Sequence, residues 1–110
     1  MAKGDYLGEF EQIVLIAILR LGKKAYGVKI WEEIELRTGR SLLVGAVYST
    51  LERLERKGYI SSFVGDPTPE RGGRAKRYFK LERPGEAALE TSRKILAGMW
   101  AGLDPILGKS

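Results

Sequence analysis

The chain contains neither cysteine nor histidine. The absence of cysteine excludes disulfide bonds, thiolate metal sites, cysteine nucleophiles and redox sensing through thiols. The absence of histidine removes the commonest general base. The remaining residues include no convincing catalytic group, because Glu11, Glu32 and Glu35 lack partners suited to acid–base work. The sequence therefore predicts a protein that is not an enzyme and that uses no metal and no cofactor.

Long hydrophobic segments are also missing. The longest uninterrupted apolar run covers the seven residues 13–19, whereas a membrane-spanning helix needs roughly 20 residues. The first residues, MAKGDYLGEF, lack the hydrophobic stretch of a signal peptide. We therefore expect a cytoplasmic protein without a membrane partner.

The composition suits one small domain with a basic surface. The 110 residues are 44% hydrophobic and carry a formal net charge of +5. A basic excess favours a polyanionic partner such as nucleic acid, although it can also serve solubility alone. The placement of the charge along the chain is therefore more informative than its sum.

The first half of the chain has the pattern of a helix-turn-helix. Apolar residues spaced three or four apart predict helices over residues 7–21 and 26–38, which end at Gly22 and Gly39. The first helix is apolar on all sides, so either its own core or a second subunit must cover it. A third helix follows a short turn in which Ser41 could cap that helix or pair with a strand. In this layout the last helix enters the major groove of DNA.

Residues 43–60, reading LVGAVYSTLERLERKGYI, are expected to contain this recognition helix. One stripe at helical spacing is apolar: Val44, Val47, Tyr48, Leu51 and Leu54. Gly45 and Ala46 are small enough for close approach to DNA and for contact with thymine methyl groups. The candidates for reading base edges are Ser49, Thr50 and Arg53.

Other interpretations of this stretch remain open. It could be an ordinary amphipathic helix that binds nothing. Arg53 could pair with a neighbouring glutamate on the helix surface instead of a base. Tyr48 could belong to the core, although its hydroxyl could still reach a phosphate.

Two predicted strands, at residues 59–64 and 76–81, flank a loop rich in proline, glycine and arginine. Five cations lie within the ten residues 71–80 with no acid among them: Arg71, Arg74, Lys76, Arg77 and Lys80. Such a hairpin is typical of a wing that lies along the DNA backbone or enters the minor groove. The alternative is a solvated charged hairpin, and the preceding helix-turn-helix favours the wing.

The last predicted helix covers residues 84–107. Leu89, Leu96 and Leu103 repeat every seven residues, which is the pattern of a seam for another helix. Gly98 and Gly102 weaken the helix, and Pro105 should bend or end it. The helix could fold back on its own domain, but we prefer a dimer seam shared with the first helix. The expected interface residues are Phe10, Val14, Ile18, Leu89, Leu96, Met99, Trp100 and Leu103.

These motifs together resemble the PadR family of bacterial transcriptional regulators, in its short form with one C-terminal helix. The resemblance runs from about residue 7 to residue 89 and is carried by AYGVKI at 25–30, GAVYSTLERLERKGYI at 45–60 and TPERGGRAKRYFKL at 68–81. It implies an α+β, mostly α fold: a winged helix-turn-helix with a C-terminal dimerisation helix. The expected division is a DNA-binding part at 1–83 and a dimerisation helix at 84–110, joined in one compact unit. The resemblance also implies a homodimer that represses transcription at palindromic operators.

Several residues match the family motifs, and two features depart from them. Tyr26 matches the tyrosine that opens the second helix, and Tyr48 matches the tyrosine of the recognition helix. The wing matches at Gly72, Gly73 and Arg74. Family members often carry Thr-Pro before the last helix, where this chain has Arg83-Pro84, so the usual side-chain cap is missing. The glycines in the last helix put the dimer geometry in question.

The expected DNA interface also includes residues that contact phosphates. They are Lys23, Lys24, Lys29, Arg37, Arg40 and the wing cations, with Tyr26 and Ser41 nearby. The resemblance further implies that a small aromatic effector can bind near the dimer interface and weaken DNA binding. Trp100 could stack on such an effector, although packing in the core or the interface is the preferred interpretation of this residue. Trp31 is expected in the core.

Two rival functions use the same residues. The winged helix could be a protein-interaction module without specific DNA binding. Alternatively, the cations could bind RNA, with exposed Tyr78 or Phe79 stacking on bases. Steep loss of duplex affinity with salt separates DNA binding from the first rival, and competition with single-stranded RNA separates it from the second.

Overall fold

A computed structural model describes residues 6–65 and 75–103. The elements follow in the order α1 (Glu9–Leu21), a single 3₁₀ turn (Gly22–Lys24), α2 (Gly27–Thr38), α3 (Val44–Arg56), β1 (Ile60–Val64), β2 (Arg77–Leu81) and α4 (Arg83–Trp100). The predicted mostly helical winged helix-turn-helix is confirmed. The loop positions 66–74, which include Arg71, Gly72, Gly73 and Arg74, lie outside the described residues.

The core lies where α1, α2, α3 and the two strands meet. Its largest fully buried side chains come from four different elements: Val14, Leu15, Ile30, Ile34, Val47, Leu51, Leu54 and Ile60. The helices α1, α2 and α3 each supply buried residues at helical spacing, so the buried parts of their apolar stripes face one another. Trp31 packs against this core, as predicted, and its indole Nε1 donates to the Leu42 carbonyl at 2.9 Å.

The wing is a two-stranded antiparallel sheet that is tied to the start of α2. Ile60 pairs with Leu81 and Val64 pairs with Arg77. The amide of Phe79 donates to the Ala25 carbonyl at 2.8 Å, and Tyr26 forms an isolated antiparallel bridge with Tyr78. The wing base is therefore fixed to the helix-turn-helix by backbone hydrogen bonds.

The turn between α2 and α3 is held by side chains of α2. The N-cap of α3 is Leu43, which makes no side-chain cap, so Ser41 does not cap this helix. Instead, the amide of Leu42 donates to the Glu35 carboxylate at 2.7 Å. The orientation of the recognition helix therefore depends on the contact between Glu35 of α2 and the turn, rather than on a capping side chain at the start of α3.

The fourth helix begins beside β1 and ends earlier than predicted. Ser61 donates to the carboxylate of Glu82, the N-cap residue, and a methyl group at Gly85 would overlap the Tyr59 carbonyl. These contacts fix the start of α4 without the missing threonine cap. The helix ends at Trp100 rather than near 107, and Gly102 adopts a positive φ of 83° that favours glycine. Residues 104–110, including Pro105, lie outside the described residues.

Candidate nucleic-acid interface

One face of α3 is uncovered along the whole helix. Gly45, Ser49, Glu52 and Arg56 follow one another at helical spacing, and all four are exposed. Glu52 and Arg56 make no hydrogen bond or ion pair with any residue in 6–65 and 75–103. Neither was among the residues predicted to read bases, although they lie three and seven residues beyond Ser49. Exposed polar groups on one face of a recognition-type helix are available to base edges.

The structure corrects one of the three residues expected to read bases. Thr50 is only 3% exposed and lies on the core side of α3, so the prediction that it projects toward DNA is wrong. It follows Val47 by three residues and precedes Leu54 by four, so it belongs to the buried stripe. A threonine at such a position is difficult to place from polarity alone. Ser49, Gly45 and Ala46 are exposed, as the prediction requires.

Tyr48 packs against the start of α2. A methyl group added at Gly27 would overlap the ring and the hydroxyl of Tyr48, so the ring lies directly against the glycine backbone. The residue is nevertheless 42% exposed. Tyr48 therefore packs between the two helices of the helix-turn-helix at their outer surface. This location is intermediate between the core and the DNA-facing surface, which are the two possibilities that the sequence left open.

The base of the wing is an aromatic cluster with one cation over it. The ring centroids of Tyr26 and Tyr78 lie 5.5 Å apart in an edge-to-face arrangement, and Phe63 stacks on Tyr78 at 5.7 Å. The Lys76 ammonium lies 5.5 Å from the Tyr26 ring centroid. Tyr26 and Lys76, two predicted DNA contacts, are thus neighbours at the point where the wing leaves the domain.

Glu55 connects the recognition helix to the wing. Its two carboxylate oxygens accept hydrogen bonds from Ser62 Oγ at 2.7 Å and from Arg77 Nη2 at 2.9 Å. Arg77 also donates from Nε to Ser62 Oγ at 2.9 Å. Arg77 was counted among the wing cations, but in this arrangement it fixes the wing to α3.

Glu11 connects the other flank of α3 to α1. Glu11 is only 8% exposed, and its carboxylate Oε2 atom lies 3.2 Å from Arg53 Nε and 3.1 Å from Lys57 Nζ. Burial alone would raise the pKa of Glu11, but hydrogen bonds from the Gly8 amide, Lys57 and Arg53 outweigh it and hold the pKa below its ordinary value. Arg53 therefore pairs with a glutamate, as the alternative interpretation proposed, but with one on α1 rather than a neighbour on its own helix.

Two kinds of feature are absent from the described residues: a cluster of metal-binding side chains and a membrane-spanning helix. In residues 6–65 and 75–103, acidic side chains nowhere form a group of three that could hold a metal ion. Within the same ranges, no helix is both long enough and apolar enough to cross a membrane.

Comparison with known proteins identifies the family. Residues 15–91 match the family model described as the transcriptional regulator PadR-like family. The chain belongs to the PadR family. Because members of this family are transcriptional regulators, the chain is a DNA-binding regulator of transcription, and the prediction that it is not an enzyme is confirmed.

Individual proteins are similar to this chain over most of its length. An uncharacterized protein from Lysinibacillus sphaericus is 32% identical over 110 residues, covering 97% of this chain and 93% of the relative. The crystal structure of a PadR family transcription regulator from Clostridium difficile is similar with a TM-score of 0.65 at 23% identity, covering 91% of this chain and 96% of that one. A Streptococcus transcriptional regulator gives a TM-score of 0.70 at 24% identity, covering 88% and 90% of the two chains.

In this PadR-family chain, the phosphate-contact candidates differ in how they are held. Arg40 Nη2 lies 2.9 Å from Glu9, and Lys29 Nζ lies 3.7 Å from Glu32. Such exposed pairs contribute little to stability, so phosphates can compete for both cations. Lys23 and Lys24 are exposed and make no ion pair within the described residues.

The aromatic residues considered for RNA stacking are covered. Phe79 is buried, so the expectation that it is exposed is wrong. Tyr78 is half-buried between Tyr26 and Phe63. Phe79 therefore offers no open face for base stacking, and Phe63 already stacks on the Tyr78 ring.

The structure also changes the set of residues that a partner subunit could contact. Val14 and Ile18 are buried within their own chain, so the prediction that they face a partner is wrong. The exposed apolar residues of α1 are Ile16 and Leu19. Since α1 is apolar on all sides, its sequence did not reveal which side the wing and the other helices cover.

A groove between α1 and α4 contains these two residues. Its volume is 530 Å³, and it is lined by Gln12, Ile16, Leu19, Leu81, Glu86, Leu89, Glu90, Arg93 and Leu96. Every residue from 93 to 103 is exposed, including five large apolar ones: Ile95, Leu96, Met99, Trp100 and Leu103. Phe10 is partly buried against the core. Within residues 6–65 and 75–103, no other element therefore buries the second half of α4.

Proposed function

We propose that this regulator is a homodimeric repressor that binds a palindromic operator. In this proposal α3 lies in the major groove with Gly45, Ser49, Glu52 and Arg56 toward the bases, while the wing contacts the phosphate backbone. The observation that carries it is the presence of two uncovered surfaces on one chain: the polar face of α3 and the apolar second half of α4. The first suits DNA, and the second suits another copy of the chain.

The apolar surface of α4 supports the dimer. Large apolar side chains rarely lie next to one another in water on a monomer, and Leu96, Met99 and Trp100 lie at helical spacing on one side of the helix, with Leu103 just beyond its end. The groove beside Ile16 and Leu19 offers apolar surface on the same chain. A second copy related by two-fold symmetry can cover both surfaces at once. In this arrangement residues 1–83 bind DNA and residues 84–110 dimerise.

Two-fold symmetry has a direct consequence for the operator. Two α3 helices related by a dyad read the same half-site in opposite directions, so the site is a palindrome with half-sites about 10 base pairs apart. A dimer bound across such a site in a promoter would block access of the transcription machinery. This blockage is the repression that we propose.

A small aromatic effector would act at the dimer surface. Trp100 lies near the end of α4 and is 43% exposed, so its ring has a face available to a planar ligand. A ligand between two copies of α4 would alter the distance between the two recognition helices and weaken DNA binding.

The proposal is tested by selecting duplex DNA from a random pool with the purified protein. Affinity for the selected sequence is then measured by fluorescence anisotropy at two salt concentrations, and the mass in solution by sedimentation equilibrium. A dimer that recovers a palindrome and loses affinity steeply with salt is the expected result. A monomer, or binding without a consensus, would contradict the proposal, and absence of duplex binding would favour the protein-interaction module.

The wing is tested separately with charge reversal. Arg74→Glu combined with Lys76→Glu should lower duplex affinity, because two phosphate contacts become repulsive. Unchanged affinity would show that the wing does not contact the backbone.

A further inference from the structure

Glu11 lies at the N-terminal end of α1 and contacts the recognition helix from behind. We propose that Glu11 is a positioning residue that holds Arg53 and Lys57 of α3 against α1 and withholds them from DNA phosphates. Binding would then depend on the exposed face of α3 and on the wing rather than on these two cations. The inference rests on the proposed entry of α3 into the major groove.

The geometry uses both oxygens of the carboxylate. Oε2 accepts from Arg53 at 3.2 Å and from Lys57 at 3.1 Å, while Oε1 accepts from the Gly8 amide at 3.0 Å. Arg53 and Lys57 are four residues apart, so one point on α1 reaches both. The Glu11 carboxylate therefore cannot turn toward one partner without losing another.

The difference in exposure explains why the cations stay with Glu11. The side chains of Arg53 and Lys57 are 45% and 37% exposed, whereas that of Glu11 is 10% exposed. If the two cations moved to phosphates, the buried carboxylate would keep only the Gly8 amide as a partner. A buried charge without its counter-ions is strongly unfavourable, so transfer to DNA carries a cost that exposed cations do not have.

Arg56 provides the contrast on the same helix. It is exposed and has no ion-pair partner within the described part of the chain. The cations of α3 are thus divided into one on the outer face that is available and two on the α1 flank that are held. The acid responsible is 42 and 46 residues away from them in sequence.

The salt dependence of DNA affinity distinguishes the available cation from the two that Glu11 holds. Each cation that neutralises a phosphate on duplex DNA adds about 0.9 to the slope of log affinity against log salt concentration. Held cations add nothing. A role of Glu11 in stability alone would change the fraction of folded protein but not this slope.

The test measures the slope for a duplex of unrelated sequence, with Glu11→Gln compared with wild type. The expected result is a slope steeper by about 1 to 2 and tighter binding at low salt, since glutamine still accepts from the Gly8 amide but no longer neutralises the cations. The matched control is Glu90→Gln. Glu90 also pairs with two cations, Arg93 at 3.0 Å and Lys94 at 4.0 Å, but it is on α4, where no phosphate contact is expected.

A second variant tests the cations directly and retains hydrogen-bond donors to Glu11. Arg53→Gln combined with Lys57→Gln should leave the salt slope unchanged in the otherwise wild-type protein. When the same two substitutions are added to Glu11→Gln, they should abolish the increase in slope that Glu11→Gln causes. Thermal melting verifies that each variant is folded. If Glu11→Gln does not fold, the double variant with Glu11 intact decides the question.

Three results would overturn the inference. They are an unchanged slope in folded Glu11→Gln, an equal rise in Glu90→Gln, and a lower slope when Arg53 and Lys57 are replaced in the presence of Glu11. If wild type itself bound no duplex at low salt, the proposed function would fail and this inference with it. If wild type binds duplex DNA and the variants give one of these three results, the inference about Glu11 fails but the proposed function does not.

Discussion

The ring of Tyr48 on α3 lies directly against the backbone of Gly27 at the start of α2. The contact fixes the two helices of the helix-turn-helix relative to each other close to the surface that we assign to DNA. Gly27 is buried and Tyr48 is partly exposed. Glycine at position 27 is therefore explained by a side chain 21 residues further along the chain, rather than by a requirement of the backbone.

Gly27→Ala should destabilise the protein by about 1–3 kcal/mol, because the added methyl group would overlap the Tyr48 ring. The free energy of unfolding is measured with urea. Gly45→Ala is the control, since a methyl group there meets no atom of the described residues within 4 Å. Alanine in place of glycine within α3 should leave stability unchanged or raise it by up to about 1 kcal/mol. Equal losses in the two variants would contradict the proposed packing of Tyr48.

Arg56→Ala and Glu52→Gln should alter DNA recognition without altering stability. Both side chains are exposed on α3 and have no ion-pair partner within the described residues. Glutamate can accept from a cytosine amino group and arginine can donate to guanine, each contact contributing about 1–3 kcal/mol to discrimination between bases. The measurement is the affinity for the selected operator and for its single-base variants.

Arg93→Ala is the matched control for this prediction. Arg93 is an exposed arginine on α4 that pairs with Glu90 at 3.0 Å. Its loss should leave the base preference of the operator unchanged. If Arg56→Ala also left that preference unchanged, the exposed face of α3 would not read bases.

Leu96→Arg should weaken dimerisation. Leu96 lies in the exposed apolar stripe of α4 and lines the groove beside Ile16, so a charge there would be buried without a partner in the dimer. Leu36→Arg is the control, because Leu36 is exposed on α2 away from this stripe. Sedimentation equilibrium should show a higher dissociation constant for the first variant only. A dimer that tolerates arginine at position 96 must use another surface.

The Glu11 ion pairs should make stability depend on pH. The pKa of Glu11 in the folded protein lies below the ordinary value of 4.5. The corresponding stabilisation is therefore complete above about pH 4.5 and is lost as the pH falls through the lower pKa of the folded state. The free energy of unfolding of Glu11→Gln should lie below that of wild type at neutral pH, and the two should converge in acid. A constant difference across this range would show that the charge of Glu11 does not stabilise the fold.

Much of the fold follows from local patterns in the sequence. The spacing of apolar residues predicts α1 and α2 to within two residues, α3 lies inside the stretch 43–60 expected to contain it, and both strands begin one residue later than predicted. Gly22 and Gly39 end their helices with positive φ angles of 57° and 71°, as expected from glycines at these positions. The far end of α4 is the exception, because its heptad pattern continues past the point where the helix ends.

The candidate binding surfaces were less predictable, because whether a side chain is available to DNA or to a partner depends on neighbours from other helices and strands. Polarity suggested that Thr50 faces DNA, yet packing places it with the core. Arg53 was a candidate for base contact, with a glutamate on its own helix surface as the alternative partner, yet a glutamate 42 residues earlier in the chain holds it. Ile16 and Leu19 replace Val14 and Ile18 as the uncovered side of α1.

By itself, the sequence determined the helix-turn-helix, the wing strands and the family, because helical and strand periods and short motifs are properties of contiguous residues. Only the tertiary structure decided which face of α3 is open, which side of α1 a partner can cover, and which cations are held by carboxylates. Burial and ion pairing are set by contacts between distant segments such as Glu11 and Lys57, 46 residues apart. Local periodicity carries no information about those contacts.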